Sequence, residues 1–291
     1  MTRLLCFCVA FVLSLPLSAQ KREIIPQNST VEAFLERLPT YLNEHKLSDL
    51  RVSDSEFAIR IWQRPHEIVT LSRGAASEGS YKIFIKKDSL FQSTFNIKSE
   101  ISSLLLDSII SLKPFRLKDE KYYGIDGSFV FIEMATKISY KIVGYWSPKR
   151  ERSENCRKVM EIMDMINRNI SVEDYYTTFW DNLESGSYRW WMTTRRIDRL
   201  LDTEIDKTDL YTEIEQELKG EFNVKDMFSF PIIVIDEKQA QISDLNRYYK
   251  SDIDKIEIYT PSNSFSVSYG TSGQYGVIRL TTKRKTVSNK R

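Results

Sequence analysis

Apolar and polar residues alternate along this chain in two rhythms, one near 3.6 residues and one near two. Val31, Phe34, Leu35 and Leu38 recur at helical spacing behind Ser29-Thr30-Val31-Glu32, which has the Ser-x-x-Glu form of a capping box. This pattern predicts a helix over 30–46, interrupted or kinked at Pro39. The rhythm then shortens. Phe57, Ile59 and Ile61 alternate with Ala58, Arg60 and Trp62, and the runs Ile68–Leu71 and Tyr81–Ile85 follow, with 74–79 as the loop between them. Ile101, Leu104, Leu105 and Ile109 predict a helix over 98–112 that Pro114 ends. Phe129–Met134 and Tyr140–Trp146 read as a second hairpin, stopped at Pro148. Ser153 is placed to cap a helix whose stripe is Cys156, Val159, Met160, Met163, Ile166 and Ile170. Strands interleaved with helices predict an α+β fold, an antiparallel sheet with helices covering one face.

From 192 to 228 large apolar residues thin out and charged ones dominate, which predicts a helical connector. Pro231 then introduces Ile232-Ile233-Val234-Ile235, a short continuous apolar run of the kind buried on both faces. Ser243-Asp244-Leu245-Asn246 can start a short helix, and Asp252-Ile253-Asp254-Lys255-Ile256-Glu257-Ile258-Tyr259 alternates isoleucine with charge. The chain closes on Tyr269-Gly270, Gly273 and then Gly276-Val277-Ile278-Arg279-Leu280-Thr281-Thr282-Lys283, with positive φ expected at Gly270 and Gly273.

These three blocks, in this order and spacing, resemble the plug domain of TonB-dependent outer-membrane receptors, nearest to those of the large nutrient transporters of Bacteroidota. The blocks cover 231–283, and the residues that carry the likeness are Pro231, Asp236, Asp252, Ile253, Ile256, Glu257, Tyr269, Gly270, Gly273, Gly276, Val277, Thr282 and Lys283. In the family the first strand commonly ends on Asp-Gly; here Glu237 follows Asp236, so a looser turn is expected. No plug-sized half precedes Pro231, no TonB box is evident and no barrel follows. The resemblance therefore implies a detached βαββ module that packs inside or against something larger, not a transporter working alone. Its expected partner is an outer-membrane receptor or another envelope protein, met through a strand edge at Ile232–Ile235 or Val277–Leu280.

The N-terminus fits that location. Arg3 precedes the apolar stretch Leu4–Leu17, which is short of the roughly 20 residues of a membrane span, and Ser18-Ala19-Gln20 offers a cleavage site. The expected organisation is a signal peptide over 1–19, an α+β domain over 20–191, the connector over 192–228, the plug-like module over 229–285 and a basic tail over 286–291. No cysteine follows the cleavage site to take a lipid, and no later segment is apolar enough to span a membrane. An exported periplasmic protein, or one on the periplasmic face of the outer membrane, is the reading. Cys6 and Cys8 leave with the signal, so Cys156 is alone and the fold must be held by packing. The 291 residues are 41% hydrophobic and 28% charged, with 42 Lys+Arg against 40 Asp+Glu. That balance gives no global field for nucleic acid.

Candidate chemistry is sparse. His45 and His66 lack metal-ligand neighbours, and Cys156 sits on an apolar helical stripe, where a buried inert thiol is the ordinary outcome. Asp202, Glu204, Asp206 and Glu213 echo an EF-hand loop, but Lys207 stands where its sharp turn needs glycine. Gly74–Gly79 lacks the Gly-Lys-Ser/Thr of a phosphate loop. No catalytic residue, metal or cofactor is expected. The strongest candidates for binding are the aromatics Trp180, Tyr188, Trp190 and Trp191 with Arg195 and Arg196 behind them. They suit a protein interface or, with Trp146, a glycan or peptide site.

Overall fold

The computed structural model describes residues 21–24, 29–63, 66–120, 124, 126–190, 193–222 and 224–283. The expected signal peptide, Trp191 and the basic tail lie outside them. The chain is mixed α+β and forms two compact units: Met1–Lys82 with Thr94–Ser171, and Ile83–Ser93 with Val172–Arg291. These boundaries differ from those the sequence suggests, because everything from Val172 onward belongs with the C-terminal strands.

The first unit contains, in chain order, β1 (Arg22–Ile24), α1 (Ser29–Glu44), β2 (Phe57–Gln63), β3 (Glu67–Arg73), the base of the hairpin β4 (Ser77–Lys86) and β5 (Leu90–Ile97), α2 (Ser99–Ser111), β6 (Phe129–Ala135), β7 (Ser139–Trp146) and α3 (Glu154–Asn169). Its sheet runs β1-β7-β6-β2-β3-β4, with β5 beside β4. The pairs β7-β6, β6-β2 and β2-β3 are antiparallel, and the short β1 joins parallel to β7. The loop between β3 and β4 is only 74–76, shorter than expected, because Ser77–Gly79 already belong to β4. Pro39 lies inside α1, and Ser153 caps α3 by accepting from the Cys156 N–H at 3.0 Å.

Helices cover both faces of this sheet, not one. Val31 of α1 packs with Ala58, Ala135, Tyr140 and Ile142. On the opposite face Leu71 lies against α2, so close that a Cβ on Gly79 would sit 2.4 Å from Ser102 Oγ and 2.8 Å from Leu71. The two-sided cover explains β2, which is buried at every position although its sequence alternates. Arg60, which the alternation would point to solvent, is fully buried. Its guanidinium pairs with Glu133 at 3.3 Å and donates to the Ser48 carbonyl at 2.7 Å and to Thr70 at 3.2 Å. Glu133 also accepts from Trp62 Nε1 at 2.6 Å and from the Tyr140 hydroxyl at 2.9 Å. Burial, then the nearby Glu133 charge and its hydrogen bond, hold the Tyr140 phenol far above its ordinary range.

The second unit contains α4 (Val172–Asp181), β8 (Gly186–Trp190), β9 (Thr193–Ile197), α5 (Asp209–Gly220), β10 (Ile232–Ile235), β11 (Lys238–Ala240), β12 (Ile253–Tyr259), α6 (Ser264–Val267) and β13 (Val277–Thr282). The expected connector is part of its core. Leu210, Tyr211, Ile214 and Leu218 of α5 are buried against Ile233, Ile242, Leu245, Ile278 and Leu280. The four C-terminal strands form one sheet in the order β11-β10-β13-β12, with β10 parallel to β13 and the other pairs antiparallel. The edges expected to be free are therefore interior: β10 lies between β11 and β13, and β13 between β10 and β12. The outer strands are β11 and β12.

Two turns also differ from expectation. Asp236 (φ 47°) and Glu237 (φ 67°) form a tight two-residue turn, because Ile235 pairs directly with Lys238. A left-handed glutamate costs about 1 kcal/mol, offset here by its ion pair with Arg279 and by the Asp236 carboxylate accepting the Thr282 N–H at 2.8 Å. Positive φ falls at Gly270 (60°) and Gly276 (94°). Gly273 is required for a different reason, since a Cβ there would lie 2.0 Å from the Ser266 carbonyl oxygen.

Candidate functional site

The aromatic candidates gather around the β8-β9 hairpin, but mostly as core. Tyr188 is fully buried, its ring edge-on to Phe91 at 5.7 Å and its hydroxyl donating to the Glu184 carbonyl at 2.7 Å. Trp180, at the end of α4, is buried between Trp190 (5.0 Å) and Phe228 (5.3 Å). Neither ring offers a face to a ligand. Trp190 is half-buried, and Trp146 belongs to the first unit, edge-on to Phe129 at 4.7 Å. Of the tryptophans expected for a glycan or peptide site, Trp146 thus falls in the first unit and Trp180 and Trp190 in the second.

Arg195 is different. Its guanidinium carbon lies 5.8 Å from the Trp180 ring centre, 5.9 Å from Trp190 and 5.5 Å from Phe228, and the residue is exposed. Three rings thus hold one cation at the surface. Arg196 is tied down instead, donating to the Pro231 carbonyl and pairing with the buried Asp198 at 3.3 Å. Burial lowers its pKa from the usual arginine value.

Asp198 ties the hairpin to the C-terminal part of the unit. Its carboxylate accepts the N–H groups of Ile242 at 3.2 Å and Arg199 at 3.1 Å, and its own N–H donates to the Met227 carbonyl at 2.9 Å. Gln241 donates to the Ser185 carbonyl at 3.0 Å, and Arg199 holds the carbonyls of Trp180 and Leu183 at 2.8 and 3.0 Å. Burial pushes the Asp198 carboxyl up to about 6, outweighing Arg196 and the two backbone donors. A folded pKa above the unfolded one, near 3.9, contributes stability that is complete below that value and lost as pH rises through about 6. Wild type is therefore expected to lose stability relative to Asp198→Asn between pH 4 and 7, by up to about 3 kcal/mol. Paired urea titrations at pH 4, 5, 6 and 7 check this; a flat or rising difference would contradict it.

Where β9 approaches the C-terminal sheet there is a half-open groove of about 500 Å³. Thr194, Arg195 and Arg196 of β9 line it together with Asp226, Phe228 and Ile232, and with Gln239 of β11 and Tyr275. Sequence reading flagged the two arginines alone. The signal for Phe228 and Phe230 is Phe228-Ser229-Phe230-Pro231, an aromatic pair that straddles the boundary expected between connector and C-terminal module.

The residues that carry the resemblance noted in the sequence close turns and ladders. Pro231 accepts from Arg196; Asp252 accepts the Tyr249 N–H at 2.9 Å, and its carbonyl takes the Lys283 N–H at 2.8 Å. Ile253 and Ile256 face α5, and Val277 and the half-buried Tyr269 pack with Ile232. Glu257 bridges Lys255 (2.8 Å) and Arg279 (3.5 Å), and these cations with the Tyr259 hydroxyl hold its carboxyl below the usual range.

The remaining candidates have structural settings. Cys156 is buried, its thiol donating to Glu120 at 3.1 Å, and burial raises its pKa. His45 and His66 are buried, His45 edge-on to Trp62 at 6.1 Å. In the acidic run Lys207 pairs with Glu215 at 2.8 Å and Glu213 with Lys250 at 2.7 Å. Among the described residues no group of three or more His, Cys, Asp or Glu is placed to hold a metal ion, and no helix is long and apolar enough to cross a membrane. Comparison with protein-family models, with curated proteins and with solved structures finds no match to this chain.

Proposed function

We propose that this is an exported, non-enzymatic protein of the cell envelope whose C-terminal unit binds another protein chain, an outer-membrane receptor or another envelope protein. The observation that carries this reading is the joining of the three plug-like blocks as adjacent strands, β10, β13 and β12, of one small sheet with open outer strands. A sheet of four strands with exposed edges is built to be extended by pairing. Three features of β12 fit such a surface: its outward position, its seven residues and the exposed Ile258. The aromatic and arginine-bearing hairpin belongs to the same unit, so recognition is assigned to this unit alone.

The test is crosslinking in intact cells of a Gram-negative host, followed by fractionation. The expected result is recovery of the chain with the outer membrane, crosslinked to a defined envelope protein. Recovery in the cytoplasm, or crosslinks to general chaperones alone, would refute the proposal.

A further inference from the structure

We propose that the groove beside Arg195 seats an extended acidic segment of the partner polypeptide, which adds a strand to the free edge of β9 and sets a carboxylate on Arg195. The inference rests on the reading of this unit as a protein-binding one, and it names the site and the chemistry of the segment bound.

Three observations converge on it. β9 is the last strand in its sheet order, paired to β8 on one side and to no other strand among the described residues on the other. Successive residues of a strand point to opposite faces, yet Thr194, Arg195 and Arg196 all line the groove. A groove lined by both parities runs along the edge of the strand, which no other strand among the described residues pairs with. Just past its end the Asp198 N–H is taken by the Met227 carbonyl, so the edge offered is Thr193–Arg196. Thr193, Thr194 and Arg195 are exposed, and this edge carries no proline to block a ladder.

The charge selects the occupant. The charged lining residues are Arg195, Arg196 and Asp226. Arg196 is already committed to Asp198 and Pro231, and Asp226 accepts the Phe228 N–H at 2.9 Å. Arg195 forms no ion pair among the described residues and is the cation left for a carboxylate. Three rings position the Arg195 guanidinium beforehand, so little side-chain freedom is lost when a carboxylate docks on it. Phe228 and Ile232 in the lining suit an apolar side chain next to the acidic one. A second copy of this chain is disfavoured, because antiparallel β9-β9 pairing would bring like-charged Thr-Thr-Arg-Arg edges together.

The test uses the full mature chain and fluorescein-labelled ten-residue probes in anisotropy titrations: an alternating Asp/Val peptide, its Lys/Val counterpart, and the Asp/Val peptide N-methylated at alternate amides. The acidic probe is expected to bind at least about tenfold tighter than the basic one, and N-methylation to weaken it at least about tenfold. Arg195→Gln, which keeps the stem that packs on the rings, is expected to lower affinity for the acidic probe at least about fivefold with an unchanged urea midpoint. The N-methylated probe tests the edge on the unaltered protein should that variant misfold. Failure of the acidic probe to bind at millimolar concentration, equal binding of all three probes, tighter binding of an oligosaccharide panel, or a sedimenting dimer that excludes the probe would each overturn the proposal. Probe binding retained by a chain found in the cytoplasm would refute the envelope location and leave the groove assignment standing.

Discussion

Glu133→Gln is expected to lower the unfolding free energy of the first unit by about 3–5 kcal/mol, the cost of leaving a buried charge without its partner. Arg60 and Glu133 are both fully buried, so water cannot take over for the missing carboxylate. The amide can still accept from Trp62 Nε1 and donate to the Tyr140 hydroxyl oxygen, so geometry is largely kept and the loss isolates the charge. Adding Arg60→Met removes the stranded cation and is expected to recover at least half of the loss. Urea denaturation followed by far-UV dichroism gives the free energies, and hydrogen exchange in 57–63 and 129–135 locates the change. A double variant less stable than Glu133→Gln would show that the pair stabilises on balance and refute this account.

Gly276→Ala is expected to cost the second unit about 3 kcal/mol or more, from backbone strain and collision together. Gly276 has φ 94° and ψ 179°, a region essentially confined to glycine. A Cβ there would lie 2.5 Å from the Phe222 ring and 2.7 Å from the Tyr259 carbonyl oxygen. The ring can swing aside; the carbonyl ends β12 and cannot. Gly276 also accepts the Ile232 N–H at 3.0 Å, so any shift is passed to the start of β10. Gly270→Ala is the control, because Gly270 has φ 60° with nothing within 4 Å of the added carbon. It is expected to cost about 1 kcal/mol. Equal losses in paired urea titrations would mean that the collision is relieved, and the account of Gly276 would fail.

Much of the fold is legible where one period dominates. The helices at Ser29–Glu44, Ser99–Ser111 and Glu154–Asn169 and the hairpin Phe129–Trp146 follow their apolar spacing. β2 was legible as a strand but not as a fully buried one, because Arg60 is made tolerable by Glu133, a partner no local pattern can show. β5 escaped notice because Gln92, Ser93, Thr94 and Asn96 dilute its apolar residues. In α5 the stripe of Leu210, Tyr211, Ile214 and Leu218 was present but masked by the acidic residues beside it. The edge strands are not legible because β11 is three residues of Lys-Gln-Ala, with no strand-like pattern of its own. The groove depends on residues from 194 to 275, and only Arg195 and Arg196 could be singled out by type. Their placement, one caged by rings and one paired with Asp198, comes from tertiary structure.

The β4-β5 hairpin gives the second unit a broken line of descent along the chain: Ile83–Ser93 belong to it, but Thr94–Ser171 do not. Lys86 pairs with Arg189, roughly a hundred residues away, so this strand contact closes one of the largest loops in the chain and is expected to form late. During synthesis Phe91 is made long before the Tyr188 ring it will meet. No single cut can therefore release the second unit intact. A fragment beginning at Val172 would lack the strand on which β8 is laid down, and the unit comes of age only when the whole polypeptide is present.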